Sequence, residues 1–358
     1  MPPTIYDVAA HAGVSASTVS RVLNNTTAVS DAKRRRVEAA VRALGYRANP
    51  NASSLRGQRT GGIGVLLPYL ATDFFSGFLH EIDGFAQRNG LFLMATSSHR
   101  SESEFKTVLH ALHNRVDGVI VMSTDVPART VAEWHPPSVP IVYANTDVSQ
   151  TRAPAVNFDN RGGMARIADH LVALGHRRIA FVCGPPHSYD AAERRAGFRT
   201  ALAAHGLEPE LEIPGDYTLE SGAAAAAAVL AAGPRPTAVA AANDLSAAGL
   251  IAALHHAGLR VPDDVAVAGF DDVSLARLNS PQLTTVRVPL AQIGRRAVER
   301  LAALMAGDRD PDHGAVVLQT ELVVRGSTRP GAPEEEALSR LARERAASRG
   351  VAGESGRL

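Results

Sequence analysis

The sequence predicts two kinds of structure in series: an N-terminal all-α helix-turn-helix head, and an α/β core of two doubly wound parallel-sheet lobes. Three observations carry this. Residues Ile5 to Asn24, IYDVAAHAGVSASTVSRVLN, read as two short helices meeting at Gly13. From Gly62 onward, short β-branched runs alternate with amphipathic helical stretches. The charge divides at the same place: residues 1–60 hold nine Lys/Arg against three Asp/Glu, a net +6, and the remainder holds 28 basic and 33 acidic residues, a net −5. A basic head on an acidic body is the electrostatic footprint of a module that meets phosphates.

In the head (residues 1–47), Val8, Ala9 and Ala12 put small apolar groups on one face of a first helix, and Gly13 tolerates the positive φ of a tight turn. Ser15 stands at an N-cap position ahead of a second helix that carries Val19, Val22 and Leu23 inward. The second helix of such a unit enters the DNA major groove. Ser30 is expected to cap a third helix, Asp31 to Leu44, with Val37, Ala40, Val41 and Leu44 on its buried side and Gly45 as its stop.

Residues 47–60, RANPNASSLRGQRT, are polar and rich in turn formers. Read alone they suit a flexible linker, but Asn49 followed by Pro50 is also an N-cap followed by a favoured first helical residue. A helix over Ala52 to Arg56, about one and a half turns long, is too short to stand alone and needs a partner surface. Leu55 is its only large apolar side chain. Residues 48–60 are therefore assigned to a hinge helix or linker.

The core is expected over residues 61–328. Apolar runs IGVLLP, LFLMAT, VDGVIVMS, PIVYAN, RRIAFVCG, TAVAAAND, VAVAGFDD and AVVLQTELVV are separated by helices starting at Phe75, Glu102, Gly162, Ala191, Gly222, Leu245 and Ala291. Continuous apolar strands alternating with helices mean parallel sheets covered on both faces. This much material exceeds one sheet, so two lobes are expected: an N-lobe from about 61–158 and 290–317, and a C-lobe from about 159–286 and 318–328, with a ligand cleft at the strand C-termini. Residues 331–358 balance five Glu against five Arg and carry too few leucines for a coiled coil, so residues 329–358 read as a mostly disordered tail.

Composition removes several classes. Cys183 is the single cysteine, which excludes a disulfide framework and fits a reducing compartment. The N-terminus MPPTIYDVAA has neither a basic n-region nor an apolar h-region, and no apolar run reaches bilayer length, so a cytoplasmic protein without membrane contact is expected. Gly62 and Gly64 form a lone GxG without the rest of a dinucleotide fingerprint, and no Walker-type loop is present. The histidines are scattered, and His255-His256 face different ways on a helix. Catalysis, a metal and a cofactor are not expected.

Over roughly residues 3–328 the chain resembles bacterial transcription regulators of the LacI/GalR family. YDVAAHAGVSASTVSRVLN is close to the family's head signature, and Tyr46, Leu55 and Arg59-Thr60 fall at its hinge spacing. HLVALGHRRIAFVCGP, RRAGFRTAL, AANDLSAAG, VPDDVAVAGFDD and PQLTTVRVP follow in family order. The resemblance implies a hinge helix that orders on DNA, a core similar to type I periplasmic sugar-binding proteins, and a dimer or tetramer whose effector shifts DNA affinity.

For DNA, the resemblance sets Ala16 and Ser17 at the positions that vary with operator sequence. Arg21, one turn on, has the fork to read guanine O6 and N7, or else to meet a phosphate. Tyr6, Thr18, Ser20 and Asn24 suit phosphate positioning, which sets register, and the capping residues Ser15 and Asn49 are counted with the DNA-binding set. Leu55 suits a minor-groove wedge at a central step, with packing on the core as its alternative. Ala48 and Ser53 depart from the family's usual Pro and Arg.

In the cleft, the resemblance assigns effector contacts to Asp271 of GFDD, Arg194, Asn243 of AAND, and aromatic covers Phe74, Phe75 and Tyr217, with Asn145 and Asp159 as weaker candidates. Asp271 and Asp272 also suit capping, Arg194 also suits a helix surface beside Arg195, and Phe74 and Phe75 also suit the core. Polar forks with flat rings suit a saccharide. Thr146 stands where purine-type members carry an aromatic, which leans away from nucleobases. The expected function is an effector-responsive repressor of a carbohydrate-uptake or catabolism operon, bound to a pseudo-palindromic operator. The alternatives are a nucleoside- or purine-responsive regulator, an activator, a solute-binding transport protein, and an α/β enzyme.

Overall fold

Thr4 starts the first helix, α1 (Ile5–Ala12), through a capping box in which its amide donates to Asp7 Oδ2 at 2.7 Å while the Asp7 amide donates to Thr4 Oγ1 at 3.4 Å. The computed structural model describes residues 3–23, 29–46, 60–70, 73–113, 115–308 and 314–329. Asn24, Asn49, Leu55, the expected hinge apart from Thr60, and the expected tail apart from Arg329 lie outside them.

Gly13 adopts φ 60° and ends α1, and Ser15 accepts from the Thr18 amide at 3.3 Å to start α2 (Ala16–Leu23). α3 (Asp31–Leu44) follows Ser30, which occupies the cap position without a side-chain capping bond, and ends at Gly45 with φ 61°. Arg36 Nη2 donates to Gly13 O at 3.2 Å, pinning the turn to α3. Val8, Ala9, Ala12, Val19, Val22, Val37 and Ala40 are buried together, with Val41 and Leu44 packed at the edge. Leu23 corrects the expectation: it is 37% exposed, because Val19 and Val22 already define the inward face and Leu23 stands one residue round the helix from it.

The core contains two parallel sheets. The first has six strands in the order β11-β5-β4-β3-β1-β2, formed by β1 (Gly62–Leu67), β2 (Phe92–Ser97), β3 (Gly118–Met122), β4 (Ile141–Ala144), β5 (Ala155–Phe158) and β11 (Ala315–Leu318). The second has four strands in the order β7-β6-β8-β9, formed by β6 (Ile179–Val182), β7 (Leu211–Ile213), β8 (Ala238–Ala241) and β9 (Ala266–Ala268). An antiparallel ribbon pairs β10 (Thr285–Arg287) with β12 (Glu321–Val323). Strand order reverses beside β1 and beside β6, which opens a crevice at the strand C-termini of each sheet.

The six-stranded lobe carries α4 (Ser76–Arg88), α5 (Glu102–Leu112), α6 (Ala128–Trp134) and α12 (Leu290–Ala306). The four-stranded lobe carries α7 (Asn160–Ala173), α8 (Tyr189–Ala204), α9 (Leu219–Ala231), α10 (Asp244–His256) and the short α11 (Ser274–Leu278). The chain passes between lobes at Asp159, near Pro289, and around Gln319–Thr320. Two of these crossings are bonded together: the Asp159 amide donates to Leu318 O at 2.9 Å, and Thr320 Oγ1 donates to Asp159 O at 3.1 Å.

The alanine run of α9 lets it lie against α10 at backbone contact. A Cβ on Gly222 would overlap Ser246 O, and one on Gly249 would overlap Leu219 O. No helix among the described residues is long and apolar enough to cross a membrane. AVVLQTELVV is not one strand but two, β11 and β12, in different sheets. The elements α6, β5, β7, α11 and β10 were outside the expectation; each is at most seven residues long, below the window in which periodicity identifies an element.

Candidate functional site

A cavity of about 280 Å³ opens at the strand C-termini between the lobes. Phe74, Phe75, Asn145, Arg194, Tyr217, Asn243 and Asp271 all line it, so seven of the eight effector candidates come together at one place. Asp159 does not line it. Its carboxylate accepts from the Gly162 amide at 2.7 Å as the N-cap of α7, which corrects its candidacy.

Arg194 is the centre of the polar wall. It projects from α8, is 2% exposed, and stacks on Phe270 with its guanidinium carbon 3.9 Å from the ring centroid. Its Nε donates to Asn160 Oδ1 at 2.9 Å and its Nη1 to Ala242 O at 2.7 Å. Nη1 also lies 3.1 Å from Asp271 Oδ1, an ion pair outside hydrogen-bond geometry, and Nη2 lies 3.8 Å from Asp190. Burial would lower its pKa, but Asp271, Tyr217 and Asp190 raise it. Arg195, next in sequence, turns outward to Glu212. The helix-surface alternative therefore describes Arg195 and not Arg194.

Asp271 follows β9 with φ 117°, and its Oδ1 has no hydrogen-bond partner. Burial pushes its carboxyl up to about 7, with Arg194 opposing. Tyr217, at φ 73°, is buried, and its hydroxyl is unpartnered. Its ring lies 5.6 Å from the guanidinium of Arg194 and 5.6 Å from that of Arg100. Non-glycine residues at positive φ concentrate here: Arg100, Asn145, Tyr217 and Asp271 line the cavity, and His99 and Asp272 adjoin it. Such conformations cost free energy and persist where surrounding structure enforces them.

Asn243 lines the cavity, but its amide is already engaged. Oδ1 accepts from the Ser246 amide at 3.0 Å as the cap of α10, and Nδ2 donates to Tyr217 O at 3.0 Å. Asn243 thus holds the strained Tyr217 in place. Phe75 is 4% exposed and packs edge-on against Phe74 at 5.1 Å and Tyr69 at 5.7 Å. The aromatic group is both core and wall.

Sequence reasoning missed Tyr69, Arg100, Asp190 and Asp73, which also line the cavity. Asp190 had a signal, since it precedes Arg194 by four residues on one helix face. Arg100 had none: it sits in a loop at φ 59°, pairs with Asp125 at 3.1 Å, and donates to Ser188 Oγ at 3.2 Å across the cleft. Asp73 accepts from the Ser274 amide at 3.0 Å, also across the cleft. Among the described residues, no three His, Cys, Asp or Glu stand together as metal ligands.

In the head, Ser17 and Arg21 stand one turn apart on the exposed side of α2, and Tyr6 of α1 is 69% exposed. Ser15 Oγ lies 2.8 Å from Ser17 Oγ and 2.9 Å from Thr18 Oγ1, so Ser15 serves the helix start. Ala16 is half-buried against the head core, and Thr18 and Ser20 are half-buried.

Residues 4–49 match the family described as bacterial regulatory proteins, lacI family, and residues 168–328 match a periplasmic binding protein-like domain. The HTH-type transcriptional repressor CytR of Escherichia coli (strain K12) is 32% identical over 329 residues, covering 91% of this chain and 96% of CytR. Among solved structures, the lac repressor dimer bound to operator and the anti-inducer ONPF is 34% identical with a TM-score of 0.80, covering 92% of this chain and 100% of that one. The complex of the transcriptional regulator CelR with cellobiose is 33% identical with a TM-score of 0.68, covering 91% of this chain and 99% of that one.

Proposed function

Because the chain belongs to the lacI family of bacterial regulatory proteins and is an effector-responsive, DNA-binding transcriptional regulator, we propose that its effector is a neutral saccharide or saccharide derivative held between the two lobes. The observation that carries this is the Arg194–Asp271 pair. A buried guanidinium and the Asp271 carboxylate, 3.1 Å apart on the cavity wall, offer donor and acceptor to neighbouring hydroxyls. The wall carries Arg100 and Arg194 against Asp73, Asp190 and Asp271, so it offers no cationic excess to an anionic ligand.

Repression of a carbohydrate-uptake or catabolism operon from a pseudo-palindromic operator, by a homodimer, is the regulatory role that fits such an effector. CelR, a structural relative, is known in complex with cellobiose. A nucleoside is the second reading, favoured by the edge-to-face group of Tyr69, Phe74 and Phe75, which gives the cavity an aromatic side for a base.

Titration calorimetry with glucose, galactose, maltose, cellobiose, cytidine and adenosine tests the proposal on the full chain and on Arg194→Ala. Binding of a sugar that is lost in Arg194→Ala supports it. Binding of only the nucleosides, or sugar binding indifferent to Arg194, overturns the saccharide reading. Fluorescence anisotropy of a pseudo-palindromic DNA pool, with and without the bound compound, then reads the sign of the response.

A further inference from the structure

We infer that Asn160 is the positioning residue that aims Arg194 at the effector and ties that arginine to the crossing between the lobes; the inference rests on the cleft being the effector site. Asn160 is the first residue of α7, immediately after the chain leaves β5 of the six-stranded lobe, and its side chain is buried at 2% exposure. Its Oδ1 accepts from Arg194 Nε at 2.9 Å. Its Nδ2 donates to Asn145 Oδ1 at 3.0 Å and reaches Phe158 O at 3.5 Å.

The orientation of this amide is forced. A guanidinium Nε is a donor only, so the atom facing it must be the amide oxygen, and the nitrogen must face Asn145. Asn145 stands at the C-terminal end of β4 at φ 43° and lines the cavity from the six-stranded lobe. Arg194 lines it from the four-stranded lobe. One buried amide therefore joins a cavity residue of each lobe, and it does so from within a crossing about which the lobes would move.

The other Arg194 contacts act on the guanidinium tip or its face. Nη1 meets Ala242 O and Asp271, Nη2 meets Asp190, and the plane rests on Phe270. The bond from Nε holds the base of the guanidinium and, with the Nη1 bond to Ala242 O, fixes rotation of the plane within that stack. An effector that draws the tip of Arg194 pulls directly on Asn160. The preceding residue, Asp159, is bonded through its backbone to Leu318 and Thr320 of a second crossing. Hydrogen bonds and the peptide link between Asp159 and Asn160 thus lead from the effector arginine to two of the crossings, and coupling along them shows as non-additivity between substitutions.

The test uses the full-length protein with ¹⁵N-labelled arginine. In the wild type, the buried and bonded Arg194 Nε–H is expected to exchange slowly with solvent. Asn160→Leu is expected to accelerate that exchange at least about tenfold, while Asn160→Asp, which restores an acceptor, slows it again. Calorimetry with whichever of cellobiose, maltose or cytidine binds the wild type is expected to give about tenfold weaker binding for Asn160→Leu. Combining Asn160→Leu with Arg194→Lys should add little further loss, because both remove the same bond. Unchanged Nε–H exchange in Asn160→Leu overturns the inference, as do strictly additive losses in the double variant. Should Asn160→Leu not fold, Asn160→Ser supplies the same two readings. If Arg194→Ala leaves binding intact, the effector site itself has been misassigned, and the exchange measurement, which needs no ligand, still decides whether Asn160 positions Arg194.

Discussion

Asp271 and Asp272 are consecutive residues in opposite roles. The Asp272 carboxylate, 1% exposed, is clamped by Arg287 at 2.7 Å and by Arg325 from the segment after β12. Asp271 lines the cavity with its Oδ1 3.1 Å from Arg194 Nη1. The clamp holds both residues at positive φ, 117° and 56°, a backbone that turns the first carboxylate inward. Of the two acids, the second is structural, and its fixation presents the first to a ligand.

Burial pushes Asp271 up to about 7, and the consequence is a pH-dependent cleft. A hydroxyl that donates to this carboxylate stabilises its charged form and lowers its pKa on binding. Effector affinity should therefore rise as pH increases toward and through 7, then level off, and Asp271→Asn should flatten the profile as well as weaken binding. The ligand-free fold responds with the opposite sign. The folded state holds this proton to higher pH than the unfolded chain, so Asp271 costs stability progressively from about pH 4 to pH 7. Burial lowers the pKa of His113, His135, His170 and His176, which raises stability over the lower part of the same range. The reading is therefore the difference in Tm between wild type and Asp271→Asn. The variant should gain on the wild type as pH rises from 5 to 8; a constant difference would contradict the raised pKa.

Tyr217 separates stability from binding. Its hydroxyl is buried without a partner, a condition that costs about 1–3 kcal/mol. Tyr217→Phe removes that hydroxyl while leaving the ring between Arg100 and Arg194. The variant should melt at the same or a slightly higher temperature than the wild type and bind the effector more weakly. A lower Tm with unchanged binding would mean that the hydroxyl serves the fold.

The order of strands and helices was legible in the sequence because each long element repeats its apolar pattern several times. The short pieces were not: β5 reads AVNF, and its Asn157 exchanges two hydrogen bonds with the Thr146 backbone, a tertiary reason for a polar residue in a strand. The same division holds at the cleft. Asp271, Arg194 and Asn243 stand in motifs, and Asp190 stands at helical spacing from Arg194. Arg100 and Asp73 reach the cavity through loop conformations and contacts across the cleft, which no local pattern encodes. Asn160 was hidden for another reason: its partners are 15 and 34 residues away along the chain.

Gly197 tests how closely helix packing positions the site. A Cβ there would overlap Arg161 O, where α8 meets α7. α8 carries Asp190 and Arg194, so moving it displaces the polar wall. Gly197→Ala should lower stability by about 1–3 kcal/mol in urea denaturation and weaken effector binding at the same time. Lost stability with wild-type affinity would show that the site tolerates a shift of α8.

Arg21 distinguishes base reading from charge. It is exposed on α2 one turn after Ser17, within a head whose excess of positive charge already supplies attraction to any duplex. If its guanidinium forks onto a guanine, Arg21→Ala should cost about 1–3 kcal/mol of preference for the selected operator over the DNA pool. Binding to unrelated DNA should then change little. If it meets only phosphate, affinity should fall equally for all sequences, and the dependence of log K on log salt should become shallower by about one unit. Anisotropy titrations of wild type and Arg21→Ala at several salt concentrations, on selected and scrambled duplexes, separate the two. Base reading predicts a loss confined to the selected duplex, and a uniform loss with a shallower salt slope would move Arg21 to the phosphate backbone.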